Sequence, residues 1–249
     1  MDVGEFWERA REFEPELLDR KRRLAPDLAW YPYGSLNNFF ALDSLLTGAH
    51  RNLSDYLQLG PIADIGAGDG DMSFLLQSLG YDVDIIDNGP TNYNGLRGAR
   101  LLADDVGNGV DVYEMDLDEK FRLPRKYGVA FFLGILYHLQ NPFYALRHLA
   151  GTAQYAFMST RIAAVTVDGS VRLDAAPLAY LLAADECNND ATNYWIFSQL
   201  GLRRLLERTG WEILDFSLVG CATDSDPSNM ERDQRAFCFL RSRSPEIAD

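Results

Sequence analysis

Residues 62–76, Ile-Ala-Asp-Ile-Gly-Ala-Gly-Asp-Gly-Asp-Met-Ser-Phe-Leu-Leu, carry the densest chemical signal in the sequence. An apolar run ends in an acid, glycines follow at alternate positions, and an amphipathic pattern begins at once. That order specifies a strand, a tight turn and a helix start, with glycine where backbone must come close to a ligand. The unpaired amides of such a helix start attract an anionic group. Asp64, Gly66, Gly68 and Gly70 form Asp-x-Gly-x-Gly-x-Gly, whereas the dinucleotide fingerprint places two residues between its second and third glycines. A ligand-free strand-to-helix turn is the plain structural alternative.

Further candidates sort by where the strands end, because ligands in open α/β sheets gather beyond the strands' carboxyl ends. Asp87 closes the apolar run 82–87, and Asp116 with Leu117 follows the run 111–116. Tyr137 and His138 follow the run 129–136. A histidine there can act as a general base, since its ordinary pKa lies near working pH. His50 and His148 fall within helical patterns and read as structural or surface residues. The stretch 185–195 packs Asn188, Asn189, Asn193 and Tyr194 into a polar cluster that can hydrogen-bond an acceptor, or simply form turns. It lacks calcium-loop spacing, and no metal site is expected.

The glycine pattern resembles the first motif of class I S-adenosylmethionine-dependent methyltransferases. That resemblance implies a loop holding the methionine part of the cofactor, with Asp64, Gly66, Gly68 and Gly70 as its residues. It implies that Asp87 accepts from the ribose hydroxyls, that Asp116 lies near the adenine amino group and that Leu117 packs on the ring. Gly134 to Leu149, GILYHLQNPFYALRHL, is similar to the corresponding segment of the wobble-uridine tRNA methyl- and carboxymethyltransferases and their relatives. In the carboxymethyl-transferring members a lysine, a tyrosine and an arginine hold an extra carboxylate. Tyr137 and Arg235 match the last two, but the segment Trp30 to Asn38 contains no lysine. A carboxylate buried without its full set of cations is costly, so ordinary S-adenosylmethionine is the expected cofactor.

The elements that must position these groups alternate. A charged helix over 5–23, with Phe6, Phe13, Leu17 and Leu18 as its stripe, leads to an aromatic turn at 30–36 and a helical stretch at 37–57. Strands follow at 62–65, 82–87, 111–116, 129–136, 155–160, 211–219 and 236–240, with helices at 71–79, 142–150 and 198–209 among them. Strands alternating with helices indicate an α/β fold with a doubly wound, mostly parallel sheet. The resemblance supplies a count of seven strands and a reversed terminal one. The expected domains are an N-terminal helical cap, 1–57, and a methyltransferase domain, 58–249, with a polar excursion over 163–196. Tyr33 on the aromatic turn joins the candidate acceptor-binding residues, with packing of Trp30, Tyr31, Phe39 and Phe40 onto the sheet as the plainer role of that set.

Composition bounds the rest. Of 249 residues 47% are hydrophobic, enough for a sizeable core, and three scattered cysteines give neither a disulfide scaffold nor a zinc spacing. No apolar run is long enough to cross a bilayer and no apolar leader is present, so a cytoplasmic protein is expected. The net charge of −14 disfavours a nucleic-acid partner, and Arg20-Lys21-Arg22-Arg23 reads as a solvated helix end. The expected activity is methyl transfer to an oxygen or nitrogen of a small polar acceptor. Modification of a tRNA wobble base, and a non-catalytic cofactor-binding module, are the alternatives. The oligomeric state is open, a homodimer being one option.

Overall fold

The computed structural model describes residues 1–107 and 109–244. The chain divides into two compact units that meet in sequence between Phe131 and Phe132.

The first unit begins with α1 (Val3–Leu24), started by a reciprocal cap. The Asp2 carboxylate accepts from the Gly4 amide and the Glu5 carboxylate accepts from the Asp2 amide, at 2.8 and 2.7 Å. Its buried face is Val3, Phe6, Ala10, Leu17 and Lys21, so Leu18 falls off the expected stripe and stays exposed. The pattern over 37–57 is not one helix but two, α2 (Asn38–Leu45) and α3 (Ser54–Leu57). Between them Leu46 is extended and Gly48 takes φ +52°, which stops the helix that the apolar spacing alone suggests.

Next come β1 (Ile62–Ile65), α4 (Asp71–Ser78), β2 (Val83–Asp87), α5 (Arg97–Val106), β3 (Val110–Glu114) and β4 (Tyr127–Leu133). The strand order is β3-β2-β1-β4, with β1, β2 and β3 parallel and Ile65 level with Ile86 and Ile86 with Tyr113. The sequence pattern above assigns no element to 97–106. Yet Ala99, Leu102, Ala103 and Val106 repeat at helical spacing and pack with Leu17, Phe74 and Ile85 in one cluster. Gly95, Gly98 and Gly107 around and inside the segment mask that signal.

In the second unit α6 (Pro142–Ala150) starts with proline at its first position, where no amide is needed. It is followed by β5 (Ala153–Ile162), β6 (Ala179–Leu181), β7 (Trp195–Phe197), α7 (Gln199–Arg208), β8 (Trp211–Gly220) and β9 (Gln234–Ser242). β9 runs antiparallel to both β5 and β8, the expected reversal. Phe157 and Phe239 stack across that pairing with ring centroids 4.7 Å apart. The seven expected strands are present, and the excursion adds the short antiparallel pair β6 and β7. That excursion has its own core of Ala163, Leu173, Leu182, Cys187 and Ile196, so it is built structure and not a loose loop. Among the described residues no helix is long and apolar enough to cross a membrane.

One buried acid near the start of β2 ties that strand to the segment leading into β4. The Asp84 side chain is 1% exposed and accepts from Arg125 Nε and Nη2, both at 2.8 Å, and from the Tyr127 hydroxyl at 2.7 Å. Removing one partner of a buried pair strands the other charge. Arg125→Met is therefore expected to cost about 2 kcal/mol, the usual figure being reduced because the guanidinium is partly solvated. Urea unfolding of the two proteins checks this, and an unchanged midpoint would show the pair to be neutral.

Candidate functional site

Two groups of candidate residues form, one in each unit. In the first, β1 runs straight into the glycine turn. Gly66 donates to Ile86 O at 2.8 Å, the last rung of the β1–β2 ladder, and Gly70 donates to Ala67 O at 2.9 Å. Gly68 and Gly70 have φ of +64° and +83°, values that other side chains resist. At Gly70 a Cβ would also lie 2.4 Å from Ile85 Cδ1, so this glycine allows α4 to pack on β2. At Gly68 the neighbour is the ring of Tyr31, 3.1 Å from where a Cβ would be.

Asp87 stands beside this turn, as the sequence implies. One carboxylate oxygen accepts from the Gly68 amide at 3.0 Å and from Asn92 Nδ2 at 2.9 Å, the other from the Asn88 amide at 2.7 Å. Burial raises its pKa above the usual carboxylate value, against the pull of these hydrogen bonds. The Met115 amide donates to Asp87 O at 2.9 Å, which brings the 115–117 segment alongside. There Leu117 is buried and Asp116 is exposed, its carboxylate accepting from the Asp118 amide. Asp64 turns inward instead. It is buried and accepts from the Ser73 hydroxyl at 2.7 Å, so it steadies the turn from beneath.

Three further residues are central to this group and are not singled out as site residues by the sequence, one of them, Asp69, inside the glycine motif itself. Asp69, 1% exposed, accepts from the Tyr31 amide at 2.6 Å, Asn94 Nδ2 at 2.7 Å and Lys21 Nζ at 3.4 Å. Asn92 donates to Gly68 O and accepts from the Asn94 and Leu96 amides. Lys21 corrects the expectation of a solvated basic end: Arg22 and Arg23 are exposed, but Lys21 is buried, 2.6 Å from Asp71 and beneath the Trp30 ring. Its helical phase, one turn beyond Leu17, aims it at the core. Tyr33 lies at the rim of a groove of about 390 Å³ lined also by Glu14, Lys21, Trp30, Tyr31 and Asp71. Its own ring is 69% exposed.

In the second unit β4 ends before the predicted 136, and Gly134 with φ +77° turns the chain into a short 3-10 turn over Leu136–His138. The Tyr137 and His138 rings lie 4.3 Å apart, and the Arg235 guanidinium sits 6.0 Å from the Tyr137 ring centroid. Arg235 Nε donates to Asp233 at 3.0 Å. The excursion reaches this turn: the Tyr194 amide donates to Tyr137 O at 2.8 Å, and His138 Nδ1 lies 3.0 Å from Thr192 Oγ1. Tyr137, His138, Tyr194 and Arg235 thus share one place. Asn193 is buried and donates to Cys187 O and Asp190 O, inside its own turn. Asn188 and Asn189 shape that turn with φ of +57° and +51°. Thr192 and Asp190 are the functional candidates the sequence does not single out.

Burial pushes the Asp64 carboxyl up to about 6, the Ser73 hydrogen bond opposing and the charges of Asp87 and Asp71 adding to the rise. The folded carboxyl therefore holds its proton better than the unfolded chain does, and stability falls as pH rises from about 4 to about 6. Asp64→Asn keeps an acceptor for Ser73 and removes the charge. Its stability relative to the native protein is expected to improve by about 1 kcal/mol between pH 5 and pH 7.5. Denaturant titrations at the two pH values measure this, and a pH-independent difference would contradict the assignment.

No family model and no curated protein matches the chain. Solved structures do. The N-terminal domain of EvdMO1 with SAH bound is similar at TM-score 0.58 and 15% identity, over 93% of this chain and 97% of that one. The [4+2]-cyclase SpnF is similar at TM-score 0.54 and 14% identity, over 86% of each chain. The mitomycin 7-O-methyltransferase MmcR is similar at TM-score 0.51 and 14% identity, over 95% of this chain and 60% of that one. What they share with this chain is the fold, the Rossmann-like α/β arrangement that the glycine turn announces.

Proposed function

We propose that the protein transfers a methyl group from S-adenosylmethionine to an oxygen or nitrogen of a small polar acceptor. The observation that carries the proposal is the convergence, at the carboxyl ends of β1, β2 and β3, of the glycine turn, Asp87 and the Asp116–Leu117 pair. This donor set fits the cofactor. The glycines of the turn have no side chains to keep its amino-acid part away, a buried acid suits its ribose hydroxyls, and an acid beside an apolar side chain suits its adenine. When bound, the sulfonium supplies an already activated methyl group. The chain's own work is then to orient the acceptor and, where the acceptor must lose a proton, to accept it, with His138 and Tyr137 as the candidate groups for that role. EvdMO1's N-terminal domain holds SAH and MmcR is named as an O-methyltransferase, which agrees with this reading. SpnF, a cyclase by name, shows that the fold also serves other chemistry.

Two observations favour plain S-adenosylmethionine and a small acceptor over wobble-base chemistry. Lys21, whose ammonium lies 5.3 Å from the Trp30 ring centroid, is already paired with Asp69 and Asp71. The net charge of −14 also opposes a polyanion. Calorimetric titration with S-adenosylmethionine, its demethylated product and carboxy-S-adenosylmethionine tests the proposal. The first two are expected to bind, and Asp87→Ala to weaken them about tenfold or more while leaving the circular dichroism unchanged. Failure of all three to bind would overturn methyl transfer. Preference for the carboxylated form, with a mobility shift of bulk tRNA, would move the acceptor to tRNA.

A further inference from the structure

We infer that Thr192 and Asp190 are positioning residues that hold His138 in the tautomer with its hydrogen on Nδ1, leaving the Nε2 lone pair as the proton acceptor. The inference rests on the methyl-transfer reading for its reaction, but its geometry lies wholly within the second unit. His138 Nδ1 has two polar neighbours, Thr192 O at 3.2 Å and Thr192 Oγ1 at 3.0 Å. The carbonyl can only accept. The hydroxyl has one hydrogen, and Asp190 Oδ1, 2.7 Å away, takes it while also accepting from the Thr192 amide at 2.9 Å. Toward the imidazole the hydroxyl therefore offers only lone pairs. With acceptors on both sides, Nδ1 must carry the hydrogen, and the neutral ring keeps its free pair on Nε2.

The charges around the ring agree. Burial would raise the Asp190 pKa, but the Thr192 hydrogen bonds and the neighbouring His138 bring it below the ordinary carboxylate value, so it stays ionised. Burial lowers the His138 pKa, Asp190 and the Thr192 carbonyl oppose this, and Arg235 on β9 adds to the lowering. Tyr137, on the same turn, supplies the remaining ring contact. The base is thus neutral at pH 7. When it acts, the acceptor's O–H or N–H bond breaks, the electron pair stays on the acceptor atom and the proton joins the Nε2 pair. The imidazolium that results faces Asp190 through the Thr192 hydroxyl. The excursion is shaped for this: Asn188 and Asn189 close the turn that presents Asp190, and the Tyr194 amide fastens it to the backbone of Tyr137.

The sequence has three histidines, so two-bond proton–nitrogen spectra of ¹⁵N-histidine-labelled protein resolve each ring, with His138→Gln giving the assignment. At pH 7.5 His138 is expected in the Nδ1–H form. Thr192→Val is expected to raise the Nε2–H population several-fold, and Thr192→Ser to retain the native spectrum. Asp190→Asn is expected to lower the His138 titration midpoint by about half a unit or more. An Nε2–H ring in the native protein, or an unchanged spectrum in Thr192→Val, would overturn the relay. Absence of S-adenosylmethionine binding with the Nδ1–H form intact would instead remove the methyl-transfer reading, and with it the base role.

Discussion

Asp69 is the group on which the first unit's candidate site depends. It sits in the glycine turn, almost wholly buried, and accepts from Tyr31 of the aromatic segment, from Asn94 ahead of α5 and from Lys21 of α1. A buried carboxylate without partners is costly enough to unfold what surrounds it. The three segments are therefore held to the turn as a condition of folding. Gly98 shows how closely they meet, since a Cβ there would lie 2.3 Å from the Asp69 carboxylate. Lys21, buried between Asp69 and Asp71, offsets part of the negative charge of four closely placed acids, Asp64 and Asp87 being the other two.

Arg161 plays the matching part in the second unit. It is 2% exposed at the end of β5, with Nε 2.7 Å from Asp233, Nη1 3.0 Å from Cys187 Sγ and Nη2 2.8 Å from Asn229 O. One guanidinium thereby joins the excursion to the loop before β9. Asp233, held on one oxygen by Arg161, holds Arg235 with the other. The placement of Arg235 over Tyr137 is thus set through Asp233, which Arg161 holds in turn.

The glycine turn, the parallel strands and Asp87 were legible in the sequence because each follows from neighbours within a few residues. A left-handed glycine, an apolar run and an acid at its end need no distant partner to be recognised. Lys21 hides in the sequence because four basic residues in a row look solvated, and only the helical phase set by Phe6 and Leu17 turns one of them inward. α5 hides because glycines flank and interrupt a correctly spaced apolar face. Thr192 is not marked locally, since its partner His138 lies 54 residues earlier, and Asp190 matters only through Thr192. The excursion's small core likewise depends on pairing between stretches far apart in sequence.

The order of the chain carries one more consequence. Every candidate for holding the cofactor lies before residue 118, and every member of the His138 relay lies after residue 137. On the methyl-transfer reading, substitutions confined to the second half reach His138 and its neighbours and leave the candidate cofactor residues unchanged, with Tyr33 the one candidate acceptor contact in the first half.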